Sequence, residues 1–322
     1  MMKRHNQILA GILVIQIILS VAVFWPKSAA TGANELLFPD LKASDIVALT
    51  ITEADGNSIA LQVAGNWVLP DVDDYPAKAD TITPLLDKIV GLTTGRLVTR
   101  TDASHKRLQV APGDFVRRID FETAGGAKHT LYLGSSPAYG ATHFRVDGQS
   151  ETYLTNEFST WEVKADAASW VDTAYLSVPK DDITRMTLEN TNGTFTFTKG
   201  DEGKWTMAGL AADETLDEAK VTSLIQRAAS VNMVRPLGKE DQAAYGMDKP
   251  KAVVTLETKD KTITLRVGAQ DPTDNSYVVI SSESPYYVRV SEYSGKDLTE
   301  KAHQDFLQSP PTPAPEGTPN AP

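Results

Sequence analysis

The sequence predicts an α+β protein: an N-terminal transmembrane helix, then two tandem modules of mainly antiparallel sheet with helices on one face. Three observations predict it. An uncharged apolar run fills Ile8–Trp25. Beyond it, short stretches alternate apolar and polar residues between glycine turns, the pattern of strands with one buried face. The same order of features then returns roughly 135 residues later, as a duplicated module does.

The apolar run carries only Gln16 and Ser20 as polar side chains. As a helix it spans about 27 Å, close to the roughly 30 Å hydrocarbon core of a bilayer. Lys3 and Arg4 precede it, and Trp25 ends it as an interfacial aromatic does. The two basic residues orient 1–7 to the cytoplasm, although Lys27 weakens the asymmetry. A cleaved signal peptide is the alternative, with Ser28-Ala29-Ala30 or Thr31-Gly32-Ala33 as the cleavage site. Both readings export the remainder. An anchor over 8–25 places the chain in the cell membrane as a single-pass protein, its bulk extracytoplasmic.

The 322 residues carry a formal net charge of -11 and no cysteine. The acidic balance argues against a nucleic-acid partner, which needs a basic footprint. It also argues against lying flat on anionic lipid. Without cysteine there is no disulfide framework and no lipid-modified thiol. The exported part must fold on its hydrophobic core.

Residues 26–43 read as a linker, 44–178 as the first module and 179–307 as the second. Ser44–Ile51 and Asp181–Leu188 open the modules with alternating strands. A turn follows in each, Asp55-Gly56-Asn57 and Asn192-Gly193, and then a second strand, Ser58–Val63 and Thr194–Thr198. Each module next reaches a glycine turn and a tryptophan, Gly65-Asn66-Trp67 and Gly203-Lys204-Trp205. A helix follows, over about Ala79–Leu92 and Asp217–Val231. Ile82, Leu85, Leu86, Ile89 and Val90 form one apolar stripe, and Val221, Leu224, Ile225 and Ala228 form the other. Asp80 and Asp217 fit as N-caps. Pro84 sits late for a first helical position, which favours a start at Ile82 or Thr83.

The paired strands Phe115–Glu122 and Lys128–Leu133, before Gly134, match Ala252–Glu257 and Thr262–Val267, before Gly268. Thr142–Val146 and Thr152–Leu154 match Ser276–Ile280 and Tyr286–Val290. Each module closes on a predicted short helix, over about Thr155–Trp170 and Ser291–Leu307. The remainder, 308–322, is proline-rich and predicted to be disordered, since it cannot bury apolar surface.

Tyr245-Gly246-Met247-Asp248-Lys249-Pro250, with the strand-glycine-strand run after it, resembles the domain of unknown function 4340 family. That family's pattern is Tyr-Gly-Leu-Asp-x-Pro before a strand, a second strand ending in glycine, then paired strands rich in tyrosine and valine. Met247 replaces the leucine. The first module departs at Leu108-Gln109-Val110-Ala111-Pro112, which lacks tyrosine and glycine, yet Leu131-Tyr132-Leu133-Gly134 still fits. The resemblance implies a structural signature with no enzymatic activity. It also implies membrane anchoring and a link with ABC transport systems of the gliding-motility-associated type. Trp67, Gly134, Trp205, Tyr245, Gly246, Asp248, Pro250 and Gly268 are the motif residues, read as turn and core positions.

The search for chemistry yields candidates without a motif. His5, His105, His129, His143 and His303 show no metal spacing, though His129 and His143 lie on neighbouring predicted strands. Asp71, Asp73 and Asp74 lack the glycine and distal glutamate of a calcium loop, as do Asp271 and Asp274. No nucleophile elbow or phosphate loop occurs. We therefore expect no catalytic, cofactor or metal residues. The leading expectation is a non-catalytic, membrane-anchored accessory or scaffold protein with a membrane-protein partner such as an ABC-type permease. A binding module for envelope glycan or another small ligand is the second reading, and an enzyme of unrecognised type the third.

Overall fold

The computed structural model describes residues 34–157 and 159–308, with Gln16. The rest of the run Ile8–Trp25 and the tail beyond Gln308 lie outside the described residues. Among the described residues no helix is long and apolar enough to cross a membrane. The fold is α+β, with mainly antiparallel sheets and a few helices.

The first repeat runs β1 (Ile46–Glu53), β2 (Ser58–Ala64), β3 (Asn66–Leu69), β4 (Tyr75–Pro76), α1 (Ala79–Val90), β5 (Leu97–Thr99), α2 (Asp102–Arg107), β6 (Val110–Ala111), β7 (Asp114–Phe115), β8 (Arg117–Thr123), β9 (Lys128–Leu133), β10 (Thr142–Val146) and β11 (Thr152–Thr155). Its sheet order is β4-β3-β2-β1-β8-β9-β10-β11-β5, with β6 and β7 paired apart. The second repeat runs β12 (Ala174–Ser177), β13 (Ile183–Asn190), β14 (Gly193–Lys199), β15 (Trp205–Met207), α3 (Glu218–Ala229), β16 (Ser230–Gly238), β17 (Ala252–Thr258), β18 (Thr262–Gln270), β19 (Tyr277–Ser281), β20 (Tyr287–Val290) and α4 (Glu292–Thr299). Its sheet order is β15-β14-β13-β17-β18-β19-β20-β16-β12. From the tryptophan strand to the strand after the helix, the two orders match element for element. Trp67 stands in β3 and Trp205 in β15, which are counterparts.

By its contacts the chain forms two compact units. Among the described residues, one joins 34–58 to 82–165; the other joins 59–81 to 166–308.

The hairpin turns rest on local chemistry. Gly65 and Gly203 take φ of +82° and +78° ahead of the two tryptophans, a region that glycine enters without steric cost. Asn190 pairs with Gly193, so the loop between β13 and β14 is Thr191-Asn192 rather than Asn192-Gly193. Asp217 caps α3 by accepting from the backbone N–H of Ala219 and Lys220 at 3.1 and 3.2 Å. Asp80, in contrast, lies inside the first turn of α1, which begins at Ala79 with Pro84 in its interior.

The end of each repeat differs from the predicted helix. In the first, Thr155–Trp170 contains two 3-10 turns, Thr160–Glu162 and Ala167–Ser169. Glu162 accepts from the Ser159 N–H and Asp166 from the Ser169 N–H, side-chain bonds that compete with helix propagation. In the second, α4 stops at Thr299 and a 3-10 turn, His303–Phe306, follows. The Asn190 amide donates to the carbonyls of Leu298 and Lys301, and the Asn192 amide to that of Glu300. These two side chains satisfy the carbonyls that a longer helix would have used.

The second repeat's core gathers around Phe306, whose ring meets those of Phe195 and Phe197 edge-on at 5.1 and 5.0 Å. Gly295 lets α4 approach Tyr277, whose ring fills the space a Cβ would need. The first repeat buries Ile46, Leu49, Ile51, Ile119, Phe121, Leu131 and Phe144 from its strands, and Ile82, Leu85, Leu86 and Ile89 from α1.

Candidate functional site

The signature segment of the second repeat is a backbone bracket. Tyr245 ends a 3-10 turn, and Gly246 leaves it in the left-handed region at φ +67°. Tyr245 and Met247 turn inward and join Val278 and Tyr287 in one buried cluster, flanked by Leu237 and Ile280. The rings of Tyr245 and Tyr287 lie 5.2 Å apart. Burial pushes the pKa of both phenols above the ordinary tyrosine value. The Tyr245 carbonyl occupies the space that a Cβ on Gly268 would take. Arg266 on β18 donates to the Met247 carbonyl. Asp248 is exposed and Pro250 half-buried at the entry to β17.

The first repeat builds the same bracket from other residues. A Cβ on Gly134 would run into the Leu108 carbonyl, as one on Gly268 runs into that of Tyr245. Leu108 thus stands where Tyr245 does, and Gln109 where Gly246 does. Gln109 takes φ +57°, the conformation that glycine supplies in the second copy. The Val110 carbonyl, counterpart of Met247, accepts from Arg145 Nε at 2.7 Å. Arg145 comes from β10, one strand over from the position of Arg266, and faces Tyr132 across the β9–β10 pair. It is buried, donates also to the Gln149 carbonyl at 2.9 Å, and lies 4.9 Å over the Tyr132 ring.

Ser135 and His143 bring a hydroxyl and an imidazole together in this bracket, at 3.2 Å. The same Nδ1 lies 2.7 Å from the Ser135 carbonyl, which can only accept. Nδ1 is therefore the protonated nitrogen and cannot take a proton from the hydroxyl. The pair is a structural contact, not a general base and nucleophile.

The family profile described as Domain of unknown function (DUF4340) matches residues 67–226 and again 211–306. The chain belongs to this family. The two matches correspond to tandem copies. Neither a curated protein nor a solved structure matches it. In this DUF4340 chain, then, Tyr245, Gly246 and Gly268 of the signature hold one turn against one sheet, and the first copy keeps that turn with other residues.

The acidic stretch Asp71–Asp74 has a structural role in the second unit. Asp73 and Asp74 both take φ +57°. Asp73 accepts from the Lys239 N–H at 2.6 Å, just after Gly238, which takes φ +97°. The Tyr286 hydroxyl donates to the carbonyls of Asp73 and Asp74 at 3.3 and 3.0 Å. The Tyr286 ring meets that of Tyr75 at 4.7 Å and carries the Lys239 ammonium 4.9 Å above it. Tyr75 is buried, with its hydroxyl 3.5 Å from Met233 Sδ. Burial, helped by Tyr175, Asp172 and Tyr286, pushes its pKa up to about 12. Asp271 and Asp274 are likewise tied, to Arg289 at 3.1 Å and Arg235 at 3.8 Å.

His129 and His143 do not meet. His143 faces Gly134 by the β9–β10 register, and His129 lies five positions further along β9, about 16 Å away. His129 stacks on Phe121 at 4.9 Å and meets Phe38 edge-on at 5.3 Å. Among the described residues no group of His, Asp and Glu could hold a metal ion. Trp205 is buried beneath the Lys199 ammonium, 6.0 Å from its ring centre, and Trp67 is half-buried. An open cavity of about 480 Å³ lies in the second unit between α3, α4 and the turn at Phe306. Its lining includes Lys220, Arg227 and Lys301 beside Asp217, Asp297 and Asp305. Lys220 already donates to the Leu307 carbonyl at 2.7 Å, and Arg227 lies 2.6 Å from Asp297.

Sequence reasoning missed Arg145, Arg266, Tyr75 and Tyr286. It set Leu108–Pro112 against the signature and noted the missing glycine, but not that Gln109 takes the left-handed conformation in its place. No local pattern marks the two arginines, whose acceptors lie on other elements.

Proposed function

We propose that this chain is a non-catalytic scaffold, anchored by Ile8–Trp25 with its two repeats on the extracytoplasmic side. The observation that carries the reading is the bracket. The signature residues of the second copy serve backbone fit: Tyr245 and Met247 fill a core, Gly246 makes a turn, and Gly268 admits a carbonyl. A family recognised by such residues is recognised by its shape. The action then lies in presented surface, and the partner in this reading is a membrane protein such as an ABC-type permease, the link that the family resemblance implies.

The test is fractionation followed by a pull-down from intact membranes. The full-length chain should sediment with the bilayer, with external protease digesting everything beyond about Lys27. A permease should co-purify. Mature protein beginning near Thr31 in the soluble fraction would remove the anchor.

A second reading, small-ligand binding, draws on the 480 Å³ cavity with its three cations and three carboxylates. Calorimetric titration with anionic glycan fragments tests it. Heat that vanishes in Lys301→Ala would favour this reading over the scaffold.

A further inference from the structure

The first unit's sheet has one end at which several chain segments meet. Asn34 lies there against Gly95, and the Thr94 N–H donates to the Glu35 carbonyl at 2.9 Å. Just beyond Gly95 the chain enters β5 beside the end of β11. The Leu154 N–H donates to the Arg96 carbonyl at 3.0 Å, and the Arg96 guanidinium to the Asn156 side chain at 2.9 Å. Thr155, which ends β11, faces Thr142, which starts β10. Leu133, which ends β9, faces Arg117 at the start of β8. Asn34, the turn into β10, the chain leaving β11 and the start of β8 therefore share this end.

Two large aromatic side chains stand exposed at the same end. Tyr139 lies in the loop from β9 to β10, Ser135–Ala141, which holds no charged residue, and is 99% exposed. Trp161 lies in the 3-10 turn Thr160–Glu162 that follows β11 and is 61% exposed. Both flanks fix that turn in place. Glu162 pairs with Lys88, near the end of α1, at 2.8 Å, and the Val163 carbonyl accepts from Arg117 Nε at 2.7 Å. Tyrosine and tryptophan join an apolar ring to a polar tip, and they concentrate where a bilayer's headgroups meet water.

We propose that this end of the first unit rests on the bilayer, with Tyr139 and Trp161 in the headgroup region. The proposal rests on the anchored reading and names the face that meets lipid. Residues 26–33 alone separate the apolar run from Asn34, and they reach about 30 Å at full extension. In the anchored reading the end that carries both aromatics is thus the end tethered to the membrane. The opposite end, at the turn from β8 to β9, lies about 20 Å away along β8. Arg96 and Glu157, both exposed at the tethered end, offset each other in charge. The contact therefore fits zwitterionic headgroups, in keeping with an acidic chain that anionic lipid would repel.

The chain has no cysteine, so a single introduced one can carry a fluorescent label. Ser136→Cys marks the exposed loop beside Tyr139 and keeps both aromatics; Ala124→Cys, exposed in the turn from β8 to β9, marks the opposite end. The full-length chain is placed in phosphatidylcholine vesicles, part of whose lipid carries a nitroxide on the headgroup. The expected result is strong quenching of the Ser136 label and little of the Ala124 label. Tyr139→Ser with Trp161→Ser should lower the docked-to-free ratio read at Ser136 about tenfold, which corresponds to about 1.4 kcal/mol. An unchanged circular dichroism spectrum would show that the double variant still folds. In a chain that floats with the vesicles, equal quenching of the two labels would overturn the contact and leave the anchor standing. Quenching at Ser136 that survives the double substitution would do the same. A Ser136 label that ignores lipid but responds to soluble envelope glycan fragments would assign the aromatics to glycan and overturn the proposal. A chain that does not float with the vesicles would overturn the anchored reading, and the proposal with it.

Discussion

The first and second repeats hold the same turn against the same place in their sheets, yet share few of the residues that do it. In the second, Gly246 takes the left-handed conformation; in the first, Gln109 does. In the second, an arginine on β18 reaches the carbonyl of the third motif residue; in the first, an arginine on β10 does. Only the glycines beneath the turn, Gly134 and Gly268, are the same residue in the same role. The backbone demands are what both copies meet: a turn, a buried carbonyl in need of a donor, and no room for a side chain. A donor can come from either neighbouring strand, so arginine is free to move. Missing space can be supplied only by glycine, so glycine is not.

The largest effect should come from that shared requirement. Gly134→Ala and Gly268→Ala each force a Cβ into a main-chain carbonyl, and each should cost about 3 kcal/mol or more in denaturant unfolding. Comparable losses in the two copies would support the equivalence; tolerance of either substitution would break it.

The next effect belongs to an element that only the first repeat has, β4. Tyr75 has its folded pKa raised to about 12 from 10.0, so the fold favours the neutral phenol. Its contribution is complete below pH 10 and is lost as pH rises from 10 toward 12, at most about 3 kcal/mol. Alkaline titration of stability should show a fall in that window, and Tyr75→Phe should flatten it. A variant that keeps the same alkaline limb would assign it to other groups.

The arginines should separate the copies by burial. Arg145→Met leaves the fully buried Val110 carbonyl without its donor, a loss of about 2 kcal/mol. Arg266 is only half-buried, and water can replace it at the Met247 carbonyl, so Arg266→Met should cost about 1 kcal/mol. Equal losses would mean that solvent reaches both carbonyls alike.

The smallest effect is also the most diagnostic of the comparison. Gln109→Gly should stabilise the first copy by about 1 kcal/mol, since glutamine bears the left-handed penalty that glycine avoids. Gly246→Ala should destabilise the second by about as much, its Cβ also meeting the Ala269 nitrogen at 3.3 Å. Thermal melting resolves both, and a destabilising Gln109→Gly would show that the glutamine side chain makes a contact worth more than its strain.

The periodic parts of this protein were legible from its residues. Alternation marked the long strands, a stripe at three- and four-residue spacing marked α1 and α3, and repetition marked the tandem copies. These are local signals, set by which face of an element meets water. The short pieces were not legible. Strands β4, β6 and β7 are two residues long, too short to show a period, and β5 and β12, of three and four residues, owe their pairing to strands distant in sequence. Likewise Thr155–Trp170 reads as helix but bends into two 3-10 turns, because Glu162 and Asp166 bond to nearby backbone N–H groups.

The same division holds for the site. The sequence by itself determined that Gly246 occupies a turn, and it carries no metal or nucleophile motif; Gly268, read as following its strand, lies inside β18. Tertiary structure alone decided that the Tyr245 carbonyl lies over Gly268, that Arg145 and Arg266 converge on equivalent carbonyls, and that the Asp71–Asp74 stretch is tied to Tyr286 and Lys239. A hydrogen bond between residues far apart in the chain leaves no periodic trace. It depends on where two backbones come to rest, and that is settled only when the whole sheet has packed.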